Sequence, residues 1–148
     1  MVKSRILIVD DEEGMLEVCA DCLCTIEAEI ITEIDSTLAA KRLAAESWDL
    51  LIADIRMPGV GGVDLLRLAR EQDPNIAVLM ITAFPNVDTA VECMKLGAAD
   101  YITKPFLPED LLASARRLLE AKRLNDENSL LFRQVARPFA GRTLIGES

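Results

Sequence analysis

The sequence of 148 residues has no histidine and few aromatic residues, which make up 4% of the chain. A zinc site would need histidine or a second cysteine pair beside the one C-x-x-C motif, Cys19 to Cys22, and neither is present. No G-x-x-x-x-G-K-[ST] sequence occurs, so a P-loop ATPase is excluded from these residues. No apolar run approaches the length of a membrane span or a signal-peptide core. We therefore expect a cytoplasmic protein with no membrane segment, a compartment in which the free thiols stay reduced.

Positive charge is outweighed by negative charge, with 16 Lys and Arg against 25 Asp and Glu, and the net charge is −9. Because phosphate backbones are neutralised by Lys and Arg, we expect no direct binding of nucleic acid by this chain, although it could regulate a separate DNA-binding module. Apolar residues make up 51%, enough for an aliphatic core, and the length suits one domain with an extension. Cys19 and Cys22 share a helical stripe with Met15 and Ile26, which favours packing over redox or metal chemistry.

Three continuous apolar runs, at residues 6–9, 50–53 and 76–81, predict strands buried on both faces of a parallel sheet. Two weaker strands are predicted at 29–33 and 100–103. A helical pattern follows each strand, so strand and helix alternate five times over. The predicted fold class is therefore α/β: a doubly wound, five-stranded parallel sheet of the flavodoxin-like order 2-1-3-4-5, with helices on both faces and an extended C-terminal helix.

Local signals mark the ends of several helices. Ser36 is the predicted N-cap of the second helix, and Gly97 the predicted C-cap of the fourth. The fifth helix is predicted to begin at Pro108 and to end near Val135, because its apolar pattern continues without Pro or Gly. Its extension is either a solvated tail or a dimerising coiled coil, and two heptads are too few to decide between them.

Reactive side chains stand at the ends of four predicted strands. Asp10 and Asp11 follow the first strand, Asp54 the third, Thr82 the fourth and Lys104 the fifth. Each alone fits an ordinary role as a helix cap, a turn residue or a surface charge. In a sheet of this order, however, ligands bind outside the carboxyl ends of the strands, near the switch between the first and third strands. Convergence at that edge favours one shared site.

Three carboxylates held close together repel one another unless a cation joins them. Because the site offers only oxygen ligands, the predicted cation is Mg²⁺, with Asp10 and Asp11 as the acidic shell and Asp54 adding one oxygen. Mg²⁺, a carboxylate, a lysine and a hydroxyl together suit phosphoryl transfer. A carboxylate can act as the nucleophile and become an acyl phosphate, while Mg²⁺, Lys104 and Thr82 share the charge of the transferred group.

Four motifs, in matching order and spacing over roughly residues 4–120, resemble the receiver domain of a two-component response regulator. They are VDDE at 9–12, DIRMPG at 54–59, ITAF at 81–84 and YITKPF at 101–106. The resemblance implies that Asp54 accepts a phosphoryl group from a sensor histidine kinase in a Mg²⁺-dependent reaction. It also implies that Asp11, Asp54 and the backbone carbonyl of Arg56 bind the metal, with Asp10 contributing largely through water.

The same resemblance implies a switch around the phosphate. Lys104 would pair with the phosphate, Thr82 beside Ala83 would move onto it, and Tyr101 would follow inward. The peptide between Lys104 and Pro105 would be cis. Phosphorylation would then alter the surface made by helix 4, strand 5 and helix 5, so the chain would be a regulatory phospho-acceptor rather than an enzyme.

The last five residues, LIGES at 144–148, are similar to the opening of the AAA+ ATPase domain in sigma-54-dependent transcriptional activators of the NtrC type. The predicted organisation is a receiver domain at 1–122, a helical linker at 123–138 that could form a dimerising coiled coil, and the start of a truncated AAA+ domain at 139–148. We expect downstream AAA+ and DNA-binding domains in the full-length protein, and a homodimer formed through helices 4 and 5 and the linker helix.

Three other functions fit parts of the pattern. A stand-alone receiver would need little beyond helix 5, so the long tail argues against it. A phosphatase of the haloacid dehalogenase type would carry its nucleophile in a D-x-D-x-T/V arrangement after strand 1, which Asp10 and Asp11 do not match. A flavodoxin-like flavin carrier would need a phosphate-cradling loop, which this sequence lacks, and the carboxylates would repel the flavin phosphate.

Overall fold

Strands and helices alternate along the chain in the computed structural model, which describes the backbone of residues 4–136 and the side chains of residues 4–124 and 126. In chain order the elements are β1 (Ser4–Val9), α1 (Glu13–Cys22), β2 (Ala28–Glu33), α2 (Ser36–Ala45), β3 (Leu50–Asp54), α3 (Gly62–Gln72), β4 (Ala77–Thr82), α4 (Val87–Lys95), β5 (Asp100–Thr103) and α5 (Pro108–Ala136). All the predicted strands are present, within one or two residues of their predicted bounds.

The strands form one parallel sheet in the order β2-β1-β3-β4-β5, which confirms the predicted fold class. Successive side chains of a strand point to opposite faces, so the central strands supply two separate core layers. In β3, Leu51 and Ala53 pack with α2 and α3, whereas Leu50 and Ile52 pack with α1 and α5. Burial on both faces explains why β1, β3 and β4 are continuous apolar runs.

The C-x-x-C pair belongs to the layer formed with α1 and α5. Cys19 is buried there and Cys22 is half-buried beside it. Burial raises the pKa of the Cys19 thiol to about 12, so this thiol stays protonated at neutral pH. All four cysteines are free. These observations agree with a packing role for the pair.

The first helix is shorter than its stripe predicts. It ends at Cys22, with Leu23 as its C-cap, and Ile26 lies beyond it. The Leu23 amide bonds to the carbonyls of both Cys19 and Ala20, which tightens the last turn and ends the helix. Leu23 and Ile26 still pack into the layer formed with α1 and α5, so the pattern of burial was right although the helix bound was wrong.

The N-cap of α2 is Asp35 and not Ser36, so that prediction was wrong. One carboxylate oxygen of Asp35 accepts hydrogen bonds from the Thr37 amide at 2.8 Å and the Leu38 amide at 3.4 Å. The buried Ser36 hydroxyl instead donates to the carbonyl of Pro58, at 3.0 Å. An ionised carboxylate binds helix amides more strongly than a hydroxyl does, and the hydroxyl is used to join α2 to the β3–α3 loop.

Two other predicted helix ends lie within one residue of the observed ones. The C-cap of α4 is Leu96 and not Gly97, which is the next residue and has a φ of +106°. The last helix begins at Pro108 and continues to Ala136, one residue past its predicted end. The predicted start of an ATPase domain at 139–148 lies outside the described residues. In residues 4–136, none of the helices is long and apolar enough to cross a membrane.

Gly62, the first residue of α3, lies against the backbone of Asp54 and Ile55. A Cβ at this position would overlap the carbonyl oxygen of Asp54 and lie 2.7 Å from the Cα of Ile55. We expect Gly62→Ala to lower the free energy of unfolding by about 3 kcal/mol, because backbone atoms cannot move aside as a side chain can. Urea denaturation measures this change.

The matched control is Gly14→Ala. Gly14 lies in α1, and a Cβ there would have no neighbour within 4 Å. We expect this variant to gain about 0.5 kcal/mol through the higher helix propensity of alanine. Equal stability of the two variants would show that the close approach at Gly62 is not a constraint.

Candidate functional site

The register of the parallel strands aligns the reactive side chains at one edge of the sheet. Val9, the last residue of β1, pairs with Ala53 of β3, so the residues that follow them, Asp10 and Asp54, lie side by side. Thr82 ends β4 opposite Thr103 of β5, and Lys104 follows directly. The carboxyl ends of four strands therefore deliver their side chains to one place, as the sequence predicted.

Lys104 joins two of the three carboxylates at this edge. Its ammonium nitrogen lies 2.7 Å from Oδ2 of Asp54 and 3.0 Å from Oδ2 of Asp10. Asp10 is 3% exposed and Asp54 is 8% exposed, so both ion pairs are shielded from water. Shielding strengthens the attraction and also makes an unpaired charge at this place costly.

The remaining carboxylate oxygens of the pair are oriented by the backbone. Oδ1 of Asp10 accepts from the Glu12 amide and Oδ1 of Asp54 from the Arg56 amide, both at 2.9 Å. Each bond spans two residues, which is the short Asx-turn geometry of aspartate. Glu12, and neither aspartate, is the N-cap of α1, so the alternative role of Asp10 or Asp11 as a helix cap is wrong.

The pKa shifts of Asp10 and Lys104 follow from burial and from these contacts. Burial raises the pKa of Asp10, and the bonds from the Glu12 amide and from Lys104 oppose burial only in part. For Lys104, burial acts to lower the pKa, but the bonds and charges of Asp54 and Asp10 outweigh it and the pKa is raised. The lysine therefore stays charged at neutral pH.

Asp11 completes an acidic cluster on the open side of the pair. One carboxylate oxygen from each of Asp10, Asp11 and Asp54 lies within 4.8 Å of the others, and Asp11 is exposed. Lys104 supplies a single positive charge to these three carboxylates, so the site is short of positive charge. All-oxygen donors with an excess of negative charge are the donor set that suits a hard divalent cation such as Mg²⁺.

Thr82 ends β4 at this edge of the sheet, and Tyr101 lies on the neighbouring strand β5, two residues before Thr103. The buried Thr82 hydroxyl accepts a bond from the Phe84 amide at 3.0 Å. The Tyr101 hydroxyl is buried and has no hydrogen-bond partner among the described residues. The Lys104–Pro105 peptide is cis, as the resemblance implied. Ala83, between Thr82 and Phe84, is exposed.

Sequence reasoning missed one contact at the rim of the site. The guanidinium of Arg56 lies over the ring of Phe84, 4.9 Å from its centroid, in a cation–π contact. The loops after β3 and β4 are therefore joined outside the acidic cluster. The available signal was weak: an exposed aromatic residue two positions after Thr82, in a chain poor in aromatics.

Comparisons with known proteins agree with this geometry. The profile of the family described as the response regulator receiver domain matches residues 6–116. The chain is 39% identical over 109 residues to the response regulator protein FleR of Pseudomonas aeruginosa, covering 74% of this chain and 23% of that protein. It is 35% identical over 130 residues to the C4-dicarboxylate transport transcriptional regulatory protein DctD of the same species, covering 87% and 28%. The chain thus spans about a quarter of the length of these curated relatives.

A solved structure is similar over the same region. NtrX from Brucella abortus, crystallised in complex with ADP, superposes with a TM-score of 0.79 at 33% sequence identity. The superposition covers 88% of this chain and 30% of that one. The similarity therefore extends over the whole sheet and its helices and concerns one part of a larger protein.

Proposed function

Because this chain belongs to the response regulator receiver domain family, we propose that Asp54 accepts a phosphoryl group from a sensor histidine kinase and so switches the protein between two states. The observation that carries the proposal is the Lys104 ammonium held between Asp54 and Asp10, with Asp11 beside them. An aspartate with only a structural role at a strand end would not need a shared lysine and two further carboxylates beside it. A phosphoryl acceptor needs the lysine, because the transferred group brings further negative charge.

The chemistry required of Asp54 is nucleophilic attack. A carboxylate oxygen attacks the phosphorus atom, the phosphorus–nitrogen bond to the donor imidazole breaks, and its electron pair stays on the imidazole. The product is an acyl phosphate on Asp54. Lys104, 2.7 Å from Oδ2 of Asp54, is close enough to follow the charge onto the new phosphate.

The same residues fit a resident Mg²⁺. Asp11, Asp54 and the backbone carbonyl of Arg56 would hold the ion, with Asp10 acting largely through water. When bound, Mg²⁺ would offset the repulsion among the carboxylates and draw charge from the transferred group. Asp11 supports this assignment because it is exposed, within reach of the other two carboxylates, and free of the short ion pairs that Lys104 makes with them.

The switch would use groups that can change partner at low cost. The Thr82 hydroxyl, now accepting from the Phe84 amide, could turn and donate to the phosphate beside the Ala83 amide. Tyr101 would follow inward, and its hydroxyl has no hydrogen bond to give up among the described residues. These contacts would favour one of two arrangements of the surface formed by α4, β5 and α5.

We place the output of this switch in a homodimer and in downstream domains. Val87, Val91 and Met94 form an exposed apolar face of α4, and α5 continues well past the sheet to Ala136. Both features suit a dimer through α4, α5 and the linker at 123–138. DctD is by name a transcriptional regulatory protein, and both relatives are about three times as long as this chain. Residues 144–148 resemble the start of a sigma-54-activating ATPase. Sedimentation velocity of the two phosphorylation states measures the dimer step.

Removal of the metal tests the proposed reaction itself. We expect the wild-type chain to gain the mass of one phosphoryl group when it is incubated with acetyl phosphate and Mg²⁺. With EDTA in place of Mg²⁺ the gain should fall by at least about a hundredfold in rate, and adding Mg²⁺ back should restore it. Intact-mass spectrometry follows both reactions. Phosphorylation at the same rate in EDTA would overturn the role given to the acidic cluster.

A further inference from the structure

A second cluster of charged side chains lies at the opposite edge of the sheet from the acceptor. Lys122 of α5 is 7% exposed, although it is a lysine near the predicted end of the domain. Its ammonium nitrogen lies 2.6 Å from Oδ2 of Asp126, 3.5 Å from Oδ1 of Asp49 and 3.6 Å from Oδ2 of Asp73. We call these four residues the Lys122 cluster. Asp49 precedes β3 and Asp73 precedes β4, so the cluster lies at the amino-terminal ends of the strands.

The two acids of the sheet side are held in place by the backbone. The second carboxylate oxygen of Asp49 accepts from the Arg5 amide at 2.8 Å, which ties it to β1. The second oxygen of Asp73 accepts from the Asn75 amide at 2.9 Å. Each acid thus gives one oxygen to the sheet and its loops and turns the other towards Lys122. Their positions are set independently of α5.

On the helix side, Lys122 is where α5 leaves the body of the domain. Among the side chains of α5 that the structure describes, Lys122 is the last buried one, and Leu124 is already 45% exposed. A cavity of about 330 Å³, lined by Asn75, Ala121 and Lys122 among others, lies along this stretch of the helix. Apolar packing is therefore incomplete here, and charged contacts make the connection. The uncharged Asn75 side chain adds a hydrogen bond, which it donates to Asp126 at 3.4 Å.

The cluster keeps its lysine charged. Burial acts to lower the pKa of Lys122, but the bond to Asp126 and the charges of Asp73 and Asp49 outweigh burial and raise it. The ammonium therefore attracts acids from the body and from the helix extension at the same time. Isolated ion pairs on a surface contribute little to stability. A nearly buried lysine that three acids share is costly to leave unpaired, so it fixes the position of its helix more strongly.

We propose that Lys122 is a positioning residue that clamps α5 to the β3 and β4 ends of the sheet and so sets the direction in which the helix continues into residues 123–136. Its part in signalling rests on the proposed function, because it would link the receiver body to whatever the linker carries. The clamp itself does not depend on phosphorylation.

Hydrogen–deuterium exchange on the full chain tests the clamp. In Lys122→Met we expect the amides around residues 119–128 to exchange at least about tenfold faster, while β1, β3 and β4 keep their protection. Lys122→Arg should restore much of the protection, because a guanidinium can bind the same acids. Lys41→Met is the matched control, since Lys41 is exposed on α2, and it should change nothing at α5.

The outcomes separate a clamp from a general structural role. Unchanged exchange at 119–128, or faster exchange spread evenly over the whole domain, would overturn the proposal. If Lys122→Met fails to fold, Asp126→Ala takes its place. The Asp126 side chain is exposed, and its substitution removes only the acid on the helix side. We expect it to speed exchange in the same segment by a smaller factor, and no effect would count against the clamp.

The same samples distinguish this proposal from the proposed function. Lys122→Met should still accept a phosphoryl group from acetyl phosphate at the wild-type rate, because the cluster lies at the far edge of the sheet. If Lys122→Met speeds exchange in α5 but the wild type is never phosphorylated, the clamp is supported and the proposed function is overturned. If the wild type is phosphorylated but Lys122→Met does not change exchange in α5, the proposed function is supported and the clamp is overturned.

Discussion

Replacing Asp54 with asparagine is expected to abolish phosphorylation. With acetyl phosphate and Mg²⁺, the wild type should gain the mass of one phosphoryl group and Asp54→Asn should gain none. The amide lacks the negative charge and the nucleophilic oxygen that attack on phosphorus requires.

The control for this variant is Asp21→Asn, an exposed aspartate on α1, which should be phosphorylated like the wild type. Circular dichroism should show that Asp54→Asn remains folded, since the amide has the same shape and can still accept from the Arg56 amide. Peptide mapping of any adduct on the variant would identify its position. An adduct of wild-type yield at another residue would show that Asp54 is not the acceptor.

Replacing Lys104 with methionine is expected to cause the largest loss of stability among the site variants. The substitution keeps an apolar stem of similar length but leaves Asp10 and Asp54 buried without their shared cation. Removing one partner of a buried ion pair strands the other charge, and we expect the free energy of unfolding in EDTA to fall by about 3 kcal/mol. Urea denaturation measures the loss, with Lys41→Met, at an exposed position, as the control.

Two conditions should reduce this loss. Mg²⁺ should stabilise Lys104→Met more than the wild type, because the ion would replace the missing positive charge and binds only the folded site. Lower pH should also help, since the pKa of Asp10 is already raised by burial and loses the lowering contact with Lys104. The folded variant then binds a proton more readily than the unfolded chain, so its deficit should shrink as the pH falls below 7. A variant as stable as the wild type in EDTA at pH 7 would show that the lysine is not needed to hold the carboxylates together.

Much of the fold was predictable because its signals are local and repeated. The runs at 6–9, 50–53 and 76–81 are apolar at every position, as strands covered on both faces are, and each is too short for a typical helix. Gly97 marked the end of α4 because its φ of +106° favours a residue without a side chain. The errors were also local. Ser36 and Asp35 are adjacent and both can cap a helix, and the choice depended on Pro58, which is distant in sequence and bonds to the Ser36 hydroxyl.

The site was predictable in its members and not in its bonds. Strand order alone brings the carboxyl ends of β1, β3, β4 and β5 to one edge, so the sequence was enough to group Asp10, Asp54, Thr82 and Lys104. That Lys104 is shared by Asp10 and Asp54, and that Arg56 covers Phe84, depends on distances of a few ångströms between loops. The spacing of these residues along the chain does not predict those distances.

By itself, the sequence determined the sheet order, the edge at which chemistry can occur, and the receiver-domain motifs carried there. These follow from hydrophobic periodicity and from the residues at strand ends, both of which can be read directly from the order of residues along the chain. Only the tertiary structure decided that Lys122, a charged residue that the pattern placed at a domain boundary, is buried among acids from three separate segments. The physical reason is that burial of a charge depends on which partners folding brings to it, and those partners are 73 and 49 residues away for Asp49 and Asp73.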